Sequence, residues 1–159
     1  MKLAAAMGVT TEFLDPGELR DGELQLILTE RVPADAAKGH VPAYHFTMTI
    51  AERGDVVGEI GLRLGESDFQ IKYAGQVGYD VEAPYRGHRF ASRSCTLLFP
   101  LARAHGFTEL WITCDPANLA SRRTCELSGG ELVEIVTLPE DVDMHAKGER
   151  LKCRYRIRL

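Results

Sequence analysis

No two cysteines in this chain stand at the C-x-x-C spacing that a zinc ribbon or a redox pair uses. Cys95, Cys114, Cys125 and Cys153 are scattered, so they read as small buried thiols in a reducing compartment, and no metal is expected. No run is long and apolar enough to span a bilayer, and the opening MKLAAAMGVT is a poor secretory signal. The expectation is a cytoplasmic protein. Positive charge is not in excess: 19 Lys and Arg against 23 Asp and Glu give a net charge of −4. That balance gives no reason to expect nucleic acid or an anionic membrane as partner. G-x-x-x-x-G-K-[ST] is absent, which excludes a P-loop, and without G-x-G-x-x-G a dinucleotide site is unsupported.

What is present fits one domain over residues 1–159, with 45% hydrophobic and 26% charged residues. ELQLILTERV (23–32) alternates Leu24, Leu26 and Leu28 on one face, and AYHFTMTIAE (43–52) alternates Tyr44, Phe46, Met48 and Ile50. VVGEIGLRL (56–64) sets Val56, Ile60, Leu62 and Leu64 on one face after an RGD turn. This period of two predicts an antiparallel meander. GQVGYDV (75–81) is a further strand. Ala91, Cys95, Leu98 and Ala102 then fall on one face of a helix bent at Pro100 and stopped at Gly106, with His105 placed as a cation for the helix end. ELWITCD (109–115) is a strand, LASRRTCEL a short helix ended by Gly129-Gly130, and ELVEIVTL (131–138) and LKCRYRIRL (151–159) are strands. The basic row Lys152, Arg154, Arg156 and Arg158 reads as a solvated face that blocks edge pairing. Strand–helix–strand in the middle predicts a parallel pair with a right-handed crossover. The fold class is α+β, a mixed and mostly antiparallel sheet with a splayed parallel strand pair and flanking helices.

YRGHRFAS (85–92) lies between the GQVGYDV strand and the first helix. The first amides of a helix lack intrahelical partners and carry the positive end of the dipole, so an anion collects hydrogen bonds there. Arg86 precedes that helix start, and Gly87 and Ala91 clear space for an approaching phosphate. The octapeptide reads as a pyrophosphate cradle, or as a solvated basic junction.

A second stretch, CDPANLASRRTCELSGGEL (114–132), follows the next strand. Here the sequence resembles the GNAT superfamily of acyl-CoA N-acetyltransferases, in particular the branch with N-terminal acetyltransferases of ribosomal proteins and related small-molecule enzymes. Arg86, Phe90 and Ala91 match the family's [Q/R]-x-x-G-x-[G/A] block, and Asn118, Ser121, Glu126 and Gly129 match its second block. The order of elements agrees along nearly the whole chain. The resemblance implies acetyl-CoA as co-substrate, lying between GQVGYDV and ELWITCD. Backbone from Gly87 through His88, Arg89 and Phe90 to Ala91 would hold the pyrophosphate, the Val81 backbone would meet the pantetheine arm or thioester, and Asn118 and Ser121 would line the arm. A small-molecule amine or a peptide N-terminus is the implied acceptor, with a homodimer left open.

The sequence departs from that pattern at three places. Arg89 stands where the cradle usually has Gly, either as an outward clamp on phosphate or as an obstruction. Cys125 stands where relatives carry a tyrosine acid, and Gly75-Gln76 where some carry a glutamate base. Glu59, among the glycines of GEIGLRL, is the candidate base. Tyr79, on the face of Val81, is a candidate to share the acid role with Cys125. Tyr44, His45, Phe69 and Tyr73 are candidate walls of the acceptor pocket, with core packing an equal reading for Tyr44. Two other functions stay open: a non-catalytic acyl-CoA-binding module, and a thiol enzyme using Cys114 or Cys125 with His45 or His105.

Overall fold

The computed structural model describes residues 8–159; most of the opening stretch read above as a poor signal, residues 1–7, lies outside the described residues. The meander is present as β1 (Leu19–Asp21), β2 (Leu24–Val32), β3 (Ala43–Ile50), β4 (Val56–Arg63) and β5 (Val77–Val81), antiparallel throughout in the order β1-β2-β3-β4-β5. Cross-strand register sorts the faces. Phe46, Ile60 and Tyr79 lie side by side, as do Tyr44, Leu62 and Val77, on the face that builds the core. On the other face His45, Gly61 and Gly78 form one row, and Thr47, Glu59 and Asp80 the next.

One strand reads differently from its sequence. The register slips between Met48 and Thr49, so that Thr49 opposes Val56 and Val57 is the extra residue. This bulge turns Val57 into the core and leaves Val56 55% exposed, the reverse of what strict alternation predicts.

The helix α1 (Phe90–Ala104) packs Ala91, Cys95, Leu98 and Ala102 inward as its period requires, and it continues through Pro100. His105 follows it but is no surface cation. Its ring is fully buried, Nδ1–H donates to the Thr10 carbonyl (2.7 Å), and Nε2 accepts the Tyr44 hydroxyl (2.6 Å). The Tyr44 oxygen in turn accepts Leu14 N–H (2.7 Å), so this pair fastens the early chain to the core.

A second, three-stranded sheet follows: β6 (Glu109–Cys114), β7 (Glu131–Thr137) and β8 (Leu151–Arg158), in the order β6-β8-β7. Between them lie α2 (Leu119–Leu127) and the single turn α3 (Asp143–Ala146). β8 is the middle strand, so its basic row guards no edge. Arg154 pairs with Glu134 and stacks 4.3 Å above the Trp111 ring, Arg156 pairs with Glu131, and Lys152 is buried against Glu149. The two arginines face glutamates of β7 across the strand pair, which stabilises the sheet from within.

The α+β architecture stands as the sequence predicts, but β5 and β6 share no ladder, so the expected parallel pair is a seam between two sheets. Gln76 bridges it with reciprocal bonds. Its N–H donates to the Trp111 carbonyl (2.8 Å), and its side-chain carbonyl accepts Trp111 N–H (2.6 Å). Gly75 makes that approach possible: its φ is +72°, and a Cβ there would sit 2.7 Å from the Trp111 oxygen. One hydrophobic cluster nevertheless runs through both sheets, from Leu24 and Phe46 to Leu110 and Ile157.

Candidate active site

Two cavities open along the seam. The smaller, about 550 Å³, lies between the end of β5 and the first turns of α1 and α2. Arg86, Gly87, Arg89, Phe90 and Ala91 line it, as do Val81, Asn118 and Ser121. The first intrahelical bond of α1 runs from Arg93 N–H to the Arg89 carbonyl, so the amides of Phe90, Ala91 and Ser92 lie ahead of it, without helical partners. Space is open where Gly87 would carry a Cβ. Arg89 caps the helix with φ 60° and ψ 24°, the left-handed conformation that glycine adopts without strain. It is the only such non-glycine residue among those described. Arg89 thus takes a backbone geometry that glycine favours.

One expectation for this cavity shifts. His88 does not line it; its ring is exposed and lies tilted against Phe90 at 5.5 Å. The Val81 carbonyl accepts Arg86 Nε–H at 2.8 Å.

The larger cavity, about 880 Å³, lies against the outer row of β3, β4 and β5. It is closed by residues 38–41, by the turn Gln70–Ala74 and by the loop around α3. The turn is π-type, Gly75 N–H reaching the Gln70 carbonyl, and Thr113 pins it to β6 through the Tyr73 carbonyl (2.7 Å). His45 and Phe69 line this cavity. Tyr73 does not; it packs on Phe69 at 6.0 Å. Tyr44 is fully buried beside His105, on the core face of β3.

Tyr79, Asn118 and Ser121 line both cavities, so the two meet there. Asn118 caps α2, its Oδ1 accepting Ser121 N–H at 3.0 Å, which leaves its amide N–H groups for a ligand. The Tyr79 hydroxyl lies 2.8 Å from Ser121 Oγ and 3.7 Å from Cys125 Sγ. Burial pushes the Tyr79 pKa upward, with the neighbouring Cys125 thiol adding to it, so the phenol keeps its proton at neutral pH. Cys125 is fully buried behind Tyr79 and lines neither cavity. Its thiol is pushed up by its contact with Cys114 and by burial.

Glu59 is exposed, opposes Asp80 on the face away from Tyr79 and Val81, and lines neither cavity. Gln76, standing where a base is found in some relatives, is the buried bridge across the seam. Among the thiol-enzyme candidates, His105 is bound to Thr10 and Tyr44, whereas Cys114 and His45 line the larger cavity. The Cys114 thiol is held down, to about 7, chiefly by its contact with Cys125. Arg63 and Gln70, which the sequence reading passed over, also line it. The basic character of Arg63 is visible in the sequence, but its reach over Gly78 depends on strand register.

A family model for the GNAT acetyltransferase domain matches residues 5–131. No curated protein matches the sequence. Among solved structures, a Vibrio cholerae protein whose own assignment as a ribosomal-protein-serine acetyltransferase is provisional aligns at 16% identity and TM-score 0.65, covering 92% of this chain and 100% of that one. The ribosomal-protein alpha-N-acetyltransferase RimL, solved with coenzyme A joined to one of its cysteines by a disulfide, aligns at 15% identity and TM-score 0.58, over 77% of this chain and 64% of that one. The self-immunity acetyltransferase MccE, solved with acetyl-CoA and AMP, aligns at 15% identity and TM-score 0.57; it covers 74% of this chain, which spans 61% of the MccE chain. The fold is thus shared with acetyltransferases, and the family match extends over most of the sequence: the chain belongs to the GNAT acetyltransferase family, whose enzymes use acetyl-CoA as co-substrate.

Proposed function

We propose that this protein is a cytoplasmic N-acetyltransferase that moves the acetyl group of acetyl-CoA to the amine of a small molecule or a peptide N-terminus by direct attack. The observation that carries the reading is the meeting of two cavities at Tyr79, Asn118 and Ser121. One has the unpaired helix amides and arginines suited to a pyrophosphate; the other is roomy and polar, as an acceptor requires. The acetyl thioester would lie at their junction. The ammonium first loses a proton to water, and the neutral nitrogen attacks the thioester carbonyl carbon. The C–S bond then breaks, and the departing thiolate takes the Tyr79 proton. A second proton, released from nitrogen, restores the phenol, leaving an amide and free CoA thiol. No covalent enzyme intermediate is needed. Four free cysteines support a reducing compartment.

The test combines binding with turnover. Acetyl-CoA at one hundred times its Kd stabilises a protein by about 2.7 kcal/mol, a clear rise in Tm. Amines, aminoglycosides and peptides are then screened for acetyl-CoA-dependent acetylation with thiol release. Stabilisation without transfer to any amine would leave an acyl-CoA-binding module; absence of stabilisation would remove the cofactor assignment.

A further inference from the structure

Arg63 ends β4 on the row that faces the larger cavity. Its guanidinium lies across β5 above Gly78, where a Cβ would come within 3.2 Å of Nη2; glycine is what leaves room for it. Nη1 donates to the carbonyls of Ala74 (3.3 Å) and Gly75 (3.2 Å) at the end of the π-type turn. Those bonds use the two hydrogens of Nη1. The three others, on Nε and Nη2, have no protein acceptor among the described residues, and no carboxylate there pairs with Arg63. Burial lowers the pKa of Arg63, and no nearby anion offsets it. A desolvated guanidinium without a counter-ion is unfavourable, and an incoming carboxylate would relieve it.

A free Nε–Nη2 edge presents two parallel N–H groups, the fork that matches a planar carboxylate. Nearby, Gln70 is 5% exposed and its Oε1 has no partner, a second unmet polar group in the cavity wall. Asp115, Asp141 and Asp143 line the same cavity, with Lys38 and the ion pair Lys152–Glu149. The three aspartates outnumber Lys38, which favours an ammonium and disfavours a dianionic phosphate. The lining therefore suits a ligand that carries one positive and one negative group.

We propose that the acceptor is an amine that also bears a carboxylate, and that this carboxylate docks on Arg63 in the floor of the acceptor cavity. The inference rests on the acetyltransferase reading. The carboxylate belongs either to a free amino acid or to an acidic side chain near a peptide N-terminus.

Two matched pairs separate these sources: free alanine against alaninamide, and the peptide amide Ala-Asp-Ala against Ala-Asn-Ala. Each probe is titrated calorimetrically into CoA-bound protein, and kcat/KM for acetylation is measured alongside. The expected result is at least a tenfold preference for the carboxylate member of one pair in binding. Arg63→Gln should bring that ratio close to one while the acetyl-CoA Kd stays within about threefold. Arg63→Lys, which keeps the charge and loses the fork, should retain part of the preference and controls for damage to the turn. Equal binding within both pairs, or no binding of any probe, overturns the docking, as does a preference that survives Arg63→Gln. A carboxylate preference in binding without acetylation keeps the docking site and removes the enzyme.

Discussion

The hydroxyls of Tyr79 and Ser121 meet at 2.8 Å across the line where the two sheets part. Tyr79 comes from β5 and Ser121 from α2, so the contact forms only when both halves are assembled. Because burial keeps the phenol protonated, Tyr79 has a proton to give to a departing thiolate. Tyr79→Phe is expected to lower kcat by about 100- to 10,000-fold, with the acetyl-CoA Kd nearly unchanged. Glu59→Gln, on the opposite sheet face, should leave both kcat and its pH profile as they are. Steady-state kinetics with calorimetric Kd values checks both; an unchanged kcat in Tyr79→Phe would assign the acid elsewhere.

Arg89 holds a backbone conformation that costs a side-chain-bearing residue about 1–2 kcal/mol. Arg89→Gly should therefore raise stability by about 1 kcal/mol, or roughly 2–4 °C in Tm for a chain of this size. Arg89 also lines the smaller cavity, where the proposed function puts the pyrophosphate. The same variant should bind acetyl-CoA a few-fold more weakly, because a charge near the phosphates is lost. Thermal melts with and without acetyl-CoA separate the two effects, and tighter binding would mean that Arg89 obstructs the cradle.

Cys114 provides a pH-dependent signal. The thiolate is the reactive form, so a lowered pKa moves reactivity to lower pH. Methanethiosulfonate modification of Cys114 should reach half its maximal rate at a pH below the 9.0 of an unperturbed thiol, because its contact with Cys125 holds the thiol down. Cys125, shifted the other way, should stay unmodified in the folded protein. Peptide mapping after timed exposure reads both sites, and equal labelling of the two would contradict the assignment.

Tyr44→Phe separates a structural tyrosine from a functional one. It removes the oxygen that links Leu14 N–H to His105 Nε2, leaving both without that partner. A loss of about 1–3 kcal/mol is expected in denaturant unfolding, since unmet buried groups carry the full desolvation cost. Acetyl-CoA affinity should not change, because Tyr44 lines neither cavity.

Much of the architecture was legible because it rests on local periodicity. The helix LASRRTCEL is α2 residue for residue, and the buried face of α1 is the one its spacing marks. The start of α1 within YRGHRFAS was legible because helix starts have a chemistry of their own. Features that depend on distant neighbours were not. Val57 turns inward only because β3 and β4 slip by a residue, and the face of Glu59 follows from its pairing with Asp80. The π-type turn at Gln70–Ala74 has a spacing that leaves no repeat to read. β8 looked like an edge because its arginines alternate with apolar residues; the glutamate partners of Arg154 and Arg156 lie on β7, far along the chain.

The Gln76 bridge has a consequence for the depth of the cleft. A side-chain amide here imitates a peptide group and supplies a single rung between two strands that otherwise run unzipped. It acts as the stop of a zip fastener: on one side the strands are held, on the other they are parted and open to a ligand. The length of one side chain thus sets where the opening ends. An asparagine, one methylene shorter, would fail to reach Trp111, and the parting would run farther back towards the π-type turn. Gln76 thus marks where the cleft ends without lining either cavity.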